Sequence, residues 1–397
     1  MLTVSRSVYP SLLAELDRPE VSILLGPRQV GKTHLLGALR LAASERGLRT
    51  HAYNLEIPHD LIAFNKPPEA VFDLLTRDVD AVFIDEFHYL ANASRIFKAV
   101  YDSGRRVKIY ASGSSALEMH KHLKESLAGR RLVTRIAPLN CDEARAGGIG
   151  LDALLRWGGL PGLLRETDSA AKERLLADIV ETYIQKDVKS LVREENIRAF
   201  NHLLLLLAES QGSLISENSL AKEVGLTART INQHLSILEK TYVCRILPSY
   251  ARGLAGELKK SKKAYLFDLG VRNAMLRDFS APDARADRGA LRETFAFLEI
   301  DRRLRPNMEL RFWRDVTGRE VDFVVLKDRR PLPVEVKSSL VRPETPPAVR
   351  TFLKAYRDAP EAIVLCDGFE GDGEAEGRPV RFRPLTALGS ELDRLGY

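Results

Sequence analysis

The sequence is poor in cysteine: Cys141, Cys244 and Cys366 are its three, far apart and with no CxxC pair. That excludes a disulfide scaffold, argues against a zinc site and fits a reducing cytoplasm. The eight histidines show no metal-ligand spacing either. No apolar run approaches the roughly 18 residues that a membrane helix needs. The opening stretch, MLTVSRSVYPSLLAELDRPE, lacks a long apolar segment and a small-residue cleavage site, so no secretory leader is expected and the location expected is cytoplasmic. Internal repeats are missing. Neither sign of charge dominates, since 60 Lys and Arg against 54 Asp and Glu leave +6. Such a mild excess permits a nucleic-acid partner without demanding one.

What is present is a chain of 397 residues, 45% hydrophobic and 29% charged, enough for two to four domains with sizeable cores. From Val21 to Pro138 short apolar runs (21–26, 51–55, 80–85, 107–112 and 132–138) alternate with helical stretches. Continuous apolar strands separated by helices predict a parallel sheet covered on both faces. From Leu139 to Glu195 the pattern is helical, with WGGLPGLL (157–164) as a turn and a long amphipathic helix beginning at ERLLADIV. Between 196 and 270 an apolar helix precedes two short helices joined at Gly225-Leu226, and two β-like runs flank a basic loop. From 271 to the end the order is helix, three strands, helix, two strands, helix. GFEGDGEAEG (368–377) reads there as an exposed acidic loop.

Directly after the first strand, Gly26-Pro27-Arg28-Gln29-Val30-Gly31-Lys32-Thr33 matches GxxxxGK[ST] and opens a helix. In that context the glycines let backbone N–H groups face phosphates, Lys32 reaches the β and γ phosphates of ATP, and Thr33 holds Mg²⁺. The run VFIDEF delivers Asp85 and Glu86 to a strand end. Asp85 is expected to support Mg²⁺ through water and Glu86 to orient and polarise the attacking water. The strand VKIYAS ends in Ser112-Gly113-Ser114, where either serine could bond the γ-phosphate or the water. Turn chemistry is the plainer reading of the same residues. Arg130 and Arg131 end a helix before the fifth strand. They are candidates for an arginine supplied across a subunit boundary, or simply cations at a helix C-terminus.

GPRQVGKT, VFIDEFHYL, ASGSS, AGRR followed by IAPLN, RWGGLPG and ETYIQKDV together resemble the bacterial and archaeal AAA-type ATP-binding proteins that carry a C-terminal domain of unknown function. The resemblance runs through almost the whole chain. It implies an α/β fold: a five-stranded P-loop AAA+ core (1–138), a helical lid (139–195), a winged helix-turn-helix (196–270) and a nuclease-like α/β domain (271–397). It also implies ATP hydrolysis. It carries the P-loop roles onto Gly26, Gly31, Lys32 and Thr33, and the acidic motif onto Asp85 and Glu86. The sensor role falls on Ser112 or Ser114, and the trans-acting arginine on Arg130 or Arg131.

In TARTINQHLSILEK, Ile231, Leu235 and Leu238 share one helical face, while Thr227, Arg229, Thr230, Gln233 and His234 lie nearer the opposite side. That polar face suits a DNA major groove, and Arg252, Lys259, Lys260, Lys262 and Lys263 suit a wing gripping phosphates. A protein-docking module is the bland alternative. In the last domain, Glu335 and Lys337 are two apart and so face one side of a strand, where a neighbouring strand can bring Asp322 beside them. With Glu293 on the preceding helix, these residues resemble the PD-(D/E)XK nuclease motif and predict a second Mg²⁺ site.

The expectation is therefore a Mg²⁺-dependent ATPase acting on duplex or branched DNA as a homo-oligomeric ring, a hexamer being one form, with no membrane partner. An ATP-regulated nuclease and a nucleotide switch that binds a protein partner are the alternatives.

Overall fold

The computed structural model describes residues 4–90, 92–114, 127–182, 196–251, 261–338 and 340–397. The chain divides into two compact units. The first comprises residues 1–138 with the short segments 160–165 and 240–243, and the second comprises the rest.

Unit 1 is built on five strands: β1 (Val21–Leu25), β2 (Thr50–Asn54), β3 (Ala81–Asp85), β4 (Lys108–Gly113) and β5 (Arg131–Arg135). Their order is β2-β3-β4-β1-β5, and every neighbouring pair is parallel. The central β1, β3 and β4 are buried throughout, which explains why they read as unbroken apolar runs rather than alternating ones. The edge strands β2 and β5 have no fully buried residue, and Val133 on β5 is half exposed. Helix Lys32–Glu45 turns Leu35, Leu36, Leu39 and Ala43 inward at helical spacing, and helix Ala93–Asp102 does the same with Ile96, Phe97 and Val100. Ile23, Leu25, Val82, Ile84, Phe97 and Ala111 belong to the resulting core.

Unit 2 begins with helices Cys141–Ala146 and Leu151–Trp157. Asn140 caps the first by accepting from Glu143 N, while the Glu143 carboxylate returns a bond from Asn140 N. The long helix expected from Glu173 onward in fact starts at Ser169 and is capped by Asp168. Its regular part ends at Ile179, and 183–195 lie outside the described residues. Helices Ile197–Glu209, Glu217–Val224 and Ala228–Lys240 follow, with a small sheet of order β6-β8-β7 formed by Leu214–Ile215, Lys262–Leu266 and Cys244–Pro248. Gly225, with φ of +72°, ends the middle helix in the left-handed conformation that glycine adopts without penalty.

The last part holds helix Arg288–Arg303 and a six-stranded mixed sheet of order β13-β14-β12-β11-β10-β9. Its strands are β9 (Met308–Arg314), β10 (Glu320–Lys327), β11 (Arg330–Val336), β12 (Ala362–Leu365), β13 (Gly371–Ala375) and β14 (Arg378–Arg383). The acidic stretch expected as a loop is instead β13, paired antiparallel with β14. Glu376 and Gly377 both have positive φ, the geometry of a two-residue hairpin turn. Asp372 is held across the strands by Arg381 at 2.6 Å and Arg383 at 2.9 Å. All three cysteines are free and buried. Among the described residues no helix is long and apolar enough to cross a membrane.

Candidate functional site

The P-loop of unit 1 is shaped by two glycines. A Cβ at Gly26 would collide with the Ile136 carbonyl, because the loop leaves β1 hard against the strand beside it. Gly31 has φ of +93° and stands at the N-cap of helix Lys32–Glu45, so the helix starts where phosphates would lie. Lys32 is buried, and its Nζ donates to the carbonyls of Gly26 (3.0 Å) and Pro27 (2.7 Å). Burial depresses its pKa, against the opposing pull of Glu86 and Asp85. Val30 is buried, Gln29 takes positive φ, and Arg28 Nη1 lies 3.5 Å from Glu56.

Across from the loop, the C-terminal end of β3 presents Asp85 and Glu86. Thr33 Oγ1 donates to Asp85 Oδ2 at 2.5 Å, and the fully buried Ser112 donates to Asp85 Oδ1. Ser114 takes the other carboxylate: its N–H reaches Glu86 Oε2 at 3.0 Å and its hydroxyl at 3.3 Å. The two serines thus divide the two acids between them. Glu86 itself has φ of +51°, and His88 Nδ1 lies 3.0 Å from its Oε2. Burial alone would raise the Glu86 carboxyl. The close His88 imidazole, the Lys32 charge and the Ser114 N–H outweigh it and hold the carboxyl down at about 2. Thr33 hydroxyl and Asp85 carboxylate oxygens on adjoining positions are the hard donors that Mg²⁺ takes, so these residues fit that ion.

Three contributors escaped sequence reasoning. Arg6, before the first helix, donates to Val30 O (2.7 Å) and Ala137 O (2.6 Å), pinning the P-loop to the end of β5. Pro161 and Gly162, expected only as a turn, approach Gly31 and Gln29. His88 follows Glu86 by two residues within the short turn Phe87–Tyr89. Only His88 had a signal, its nearness in sequence to the acidic pair.

Arg130 and Arg131 lie elsewhere. Val21 pairs with Arg131 and Leu25 with Arg135, so four residues of strand, roughly 13 Å, separate Arg131 from the P-loop end. Neither arginine ends a described helix. Arg130 sits in a turn, bonded to Asp102 at 2.7 Å, and Arg131 opens β5.

In unit 2, Thr227 Oγ1 accepts from Thr230 N at 3.2 Å at the start of helix Ala228–Lys240. Arg229 and Gln233 are exposed and Thr230 is half-buried. His234 departs from the expected polar face. It is buried edge-on against Phe200, because it stands three residues after Ile231 and four before Leu238, on the apolar side. Of the expected wing cations, Arg252, Lys259 and Lys260 lie outside the described residues. Lys262 is half-exposed and pairs with Glu217 at 2.6 Å. Lys263 is no wing cation: it is 1% exposed, with Nζ 2.9 Å from Glu293 and 2.6 Å from Glu320.

The structure does bring Glu293, Asp322, Glu335 and Lys337 into one neighbourhood. Asp322 Oδ2 accepts from Val336 N (2.9 Å), Glu335 Oε2 accepts from Asp322 N (3.2 Å), and Lys337 Nζ lies 2.7 Å from Glu335 Oε1. Burial, then the neighbouring Asp322 charge, raises Glu293 to about 7 and Glu335 to about 8. Among the described residues, however, no three His, Cys, Asp or Glu side chains converge as metal ligands. The second Mg²⁺ site expected at Glu293, Asp322 and Glu335 does not fit this arrangement, because the Lys263 ammonium lies among Glu293, Glu320 and Asp322 and Lys337 pairs with Glu335.

Comparison with known proteins follows the same division. Residues 150–282 match a domain of unknown function (DUF8612), and 288–382 match another (DUF4143). An uncharacterized protein of Mycobacterium tuberculosis, Rv2008c, is 25% identical over 361 residues, covering 90% of this chain and 78% of its own. An uncharacterized protein of Methanocaldococcus jannaschii, MJ1544, is 22% identical over 374 residues, covering 85% and 79%. Among solved structures, AMPPCP-bound DnaA from Aquifex aeolicus aligns with TM-score 0.31 at 16% identity, over 59% of this chain and 86% of that one. Domain III of the Thermotoga maritima replication initiation protein DnaA gives 0.31 at 18%, over 49% and 92%. Likenesses so slight carry no weight here. Residues 18–145 match the model of an AAA domain, and with the P-loop motif and the parallel sheet they make unit 1 an AAA-type P-loop nucleotide-binding domain.

Proposed function

We propose that the protein is a Mg²⁺-dependent ATPase that couples hydrolysis to duplex or branched DNA and works as a homo-oligomeric ring. The observation that carries the reading is the linked set Thr33–Asp85–Ser112 beside Lys32 and Glu86. It puts a cation, hard oxygen donors and an ionised carboxylate around the start of one helix.

Thr33 and Asp85 would hold Mg²⁺, which when bound neutralises charge on the β and γ phosphate oxygens. Lys32 exchanges its two loop carbonyls for phosphate oxygens, recovering in one step the solvation it lacks when buried. Glu86, held ionised, accepts a hydrogen bond from the attacking water and sets its direction. Ser114 and His88 keep that carboxylate aimed, and Arg6 keeps the loop from sagging away from it.

Oligomerisation is supported by Arg130 and Arg131. At the sheet end away from the P-loop they serve phosphoryl transfer only from a neighbouring copy. Contact with DNA is supported by Arg229 and Gln233, exposed on a capped helix of suitable size, beside a winged helix-turn-helix order of elements. DNA cleavage has no such support, since among the described residues no three His, Cys, Asp or Glu side chains could hold a metal ion.

The test measures ATP turnover alone and with single-stranded, duplex and four-way-junction DNA at two salt concentrations. Stimulation by one DNA form, lost at high salt and absent in Lys32→Ala, is expected. Turnover indifferent to every DNA, together with no salt-sensitive binding, would sink the DNA reading. Absence of turnover in an oligomeric preparation would sink the ATPase reading.

A further inference from the structure

Of the carboxylates of unit 2, Glu293 is covered from two sides, while Lys337 at the other end of the cluster stays half-exposed. Lys263 reaches in from β8, and its Nζ bridges Glu293 on helix Arg288–Arg303 and Glu320 on β10. Tyr265, two residues along the same strand and so on the same face, donates its hydroxyl to the same Glu293 oxygen at 2.6 Å. From another side the chain passes directly over Glu293: a Cβ at Gly212 would lie 2.8 Å from its carboxylate oxygens. Next to it, Gln211 Oε1 accepts from Thr294 Oγ1 at 2.9 Å. Gln211, Gly212, Lys263 and Tyr265 all belong to the helix-and-small-sheet segment, and the carboxylates all belong to the last domain. The cluster is therefore a junction between two modules of unit 2.

We propose that Lys263 is an internal lock: its ammonium sits among Glu293, Glu320 and Asp322 where a divalent cation would have to sit, closes the cluster to metal and phosphodiester, and ties β8 to the C-terminal sheet. The chemistry is a competition for the same oxygens. A metal must strip its own water and displace an ammonium that the chain holds in place, whereas the ammonium loses nothing to diffusion. The covering backbone at Gly212 removes the room a sugar-phosphate chain would need. The lock has a conformational corollary. Exposing the carboxylates requires β8 and the 211–212 turn to move together, so the helix-turn-helix segment and the last domain separate as a unit or not at all. This inference is independent of the ATP site.

The test is Mn²⁺ binding to the full chain without nucleotide, followed by electron paramagnetic resonance. The variants are wild type, Glu335→Gln, Lys263→Ala, Lys263→Arg and Lys263→Ala/Glu335→Gln. Wild type and Glu335→Gln are expected to bind the same amount, since the cluster takes none. Lys263→Ala is expected to bind about one more ion per chain, a gain lost in the double variant and absent in Lys263→Arg. Wild-type binding that falls on Glu335→Gln would overturn the lock, and so would a folded Lys263→Ala chain with no gain. If Lys263→Ala does not fold, as circular dichroism reads, the wild-type and Glu335→Gln comparison decides alone.

Discussion

Two groups of acids in this chain have opposite fates. Asp85 and Glu86 in unit 1 are met by hydroxyls, a backbone N–H, a histidine and a lysine, and Glu86 stays charged. Asp322, Glu335 and Glu293 in unit 2 lie beside one another and beside Glu320, so burial and the charge of neighbouring carboxylates push their pKa values upward despite two lysines. Residue type is the same in both places. The difference lies in the donors and the neighbouring charges that each carboxylate meets. A pair of acids beside a lysine therefore fits the proposed metal-and-water site in one setting and makes an ionic junction in the other.

The largest expected effect separates the two groups by chemistry. Glu86→Gln should lower the turnover of bound ATP by about 10²–10⁴-fold while leaving nucleotide affinity within a few-fold, because the side chain touches water rather than phosphate. Single-turnover hydrolysis beside a fluorescent-nucleotide titration reads both. Glu335→Gln should leave hydrolysis unchanged, and equal losses from both variants would erase the contrast. Next in size is stability. Lys263→Met removes one partner of a buried network and strands two carboxylates, which typically costs about 3–5 kcal/mol. Urea unfolding checks it, and a loss below about 1 kcal/mol would mean that the junction is soft.

The pH dependence should differ in sign between the two groups. Glu86 has a folded pKa below its unfolded value. Its contribution to stability is present above about pH 4.5 and is lost as pH falls towards 2. Glu335 is raised to about 8, so its contribution is full below the unfolded value and disappears as pH rises through 8. Relative to wild type, Glu335→Gln should gain stability as pH rises from about 4.5 to 8, and Glu86→Gln should lose stability as pH rises from about 2 to 4.5. Thermal unfolding across pH reads the slopes, and slopes of the same sign would break the comparison.

How much of this was legible follows from how local each feature is. GPRQVGKT after an apolar strand and VFIDEF at another strand end are short, and their chemistry demands those residues at those spacings. The Arg6 clamp joins residues 24 and 131 positions away, and no periodicity in the sequence links them. Lys263 and His234 were legible but misread by composition. The run KKSKK invites a solvated loop, yet strict alternation puts Lys263 on the face of the buried Tyr265 and turns Lys262 outward. His234 likewise shares the helical face of Ile231 and Leu238. Acidic glycine-rich residues 368–377 looked like a loop, although Glu376-Gly377 carried the turn signal of a hairpin.

The smallest expected effect tests that alternation between adjacent lysines. Lys262 meets Glu217 in a partly exposed pair, and such pairs contribute about 0–1 kcal/mol, so Lys262→Ala should barely change the unfolding midpoint. Its ammonium is nonetheless free to leave Glu217 for a phosphate. If the small sheet lies along DNA, Lys262→Ala lowers the salt dependence of binding by about one counterion and weakens every DNA sequence alike. Lys263→Arg, one residue on, keeps its charge inside the junction and should leave the salt slope untouched. Fluorescence anisotropy with one duplex across a salt series measures both slopes. Equal slopes for Lys262→Ala and wild type would remove Lys262 from the DNA surface. A slope change in Lys263→Arg would mean that the buried ammonium reaches solvent, and would take away the distinction between a wing cation and a lock on which the reading of β8 depends.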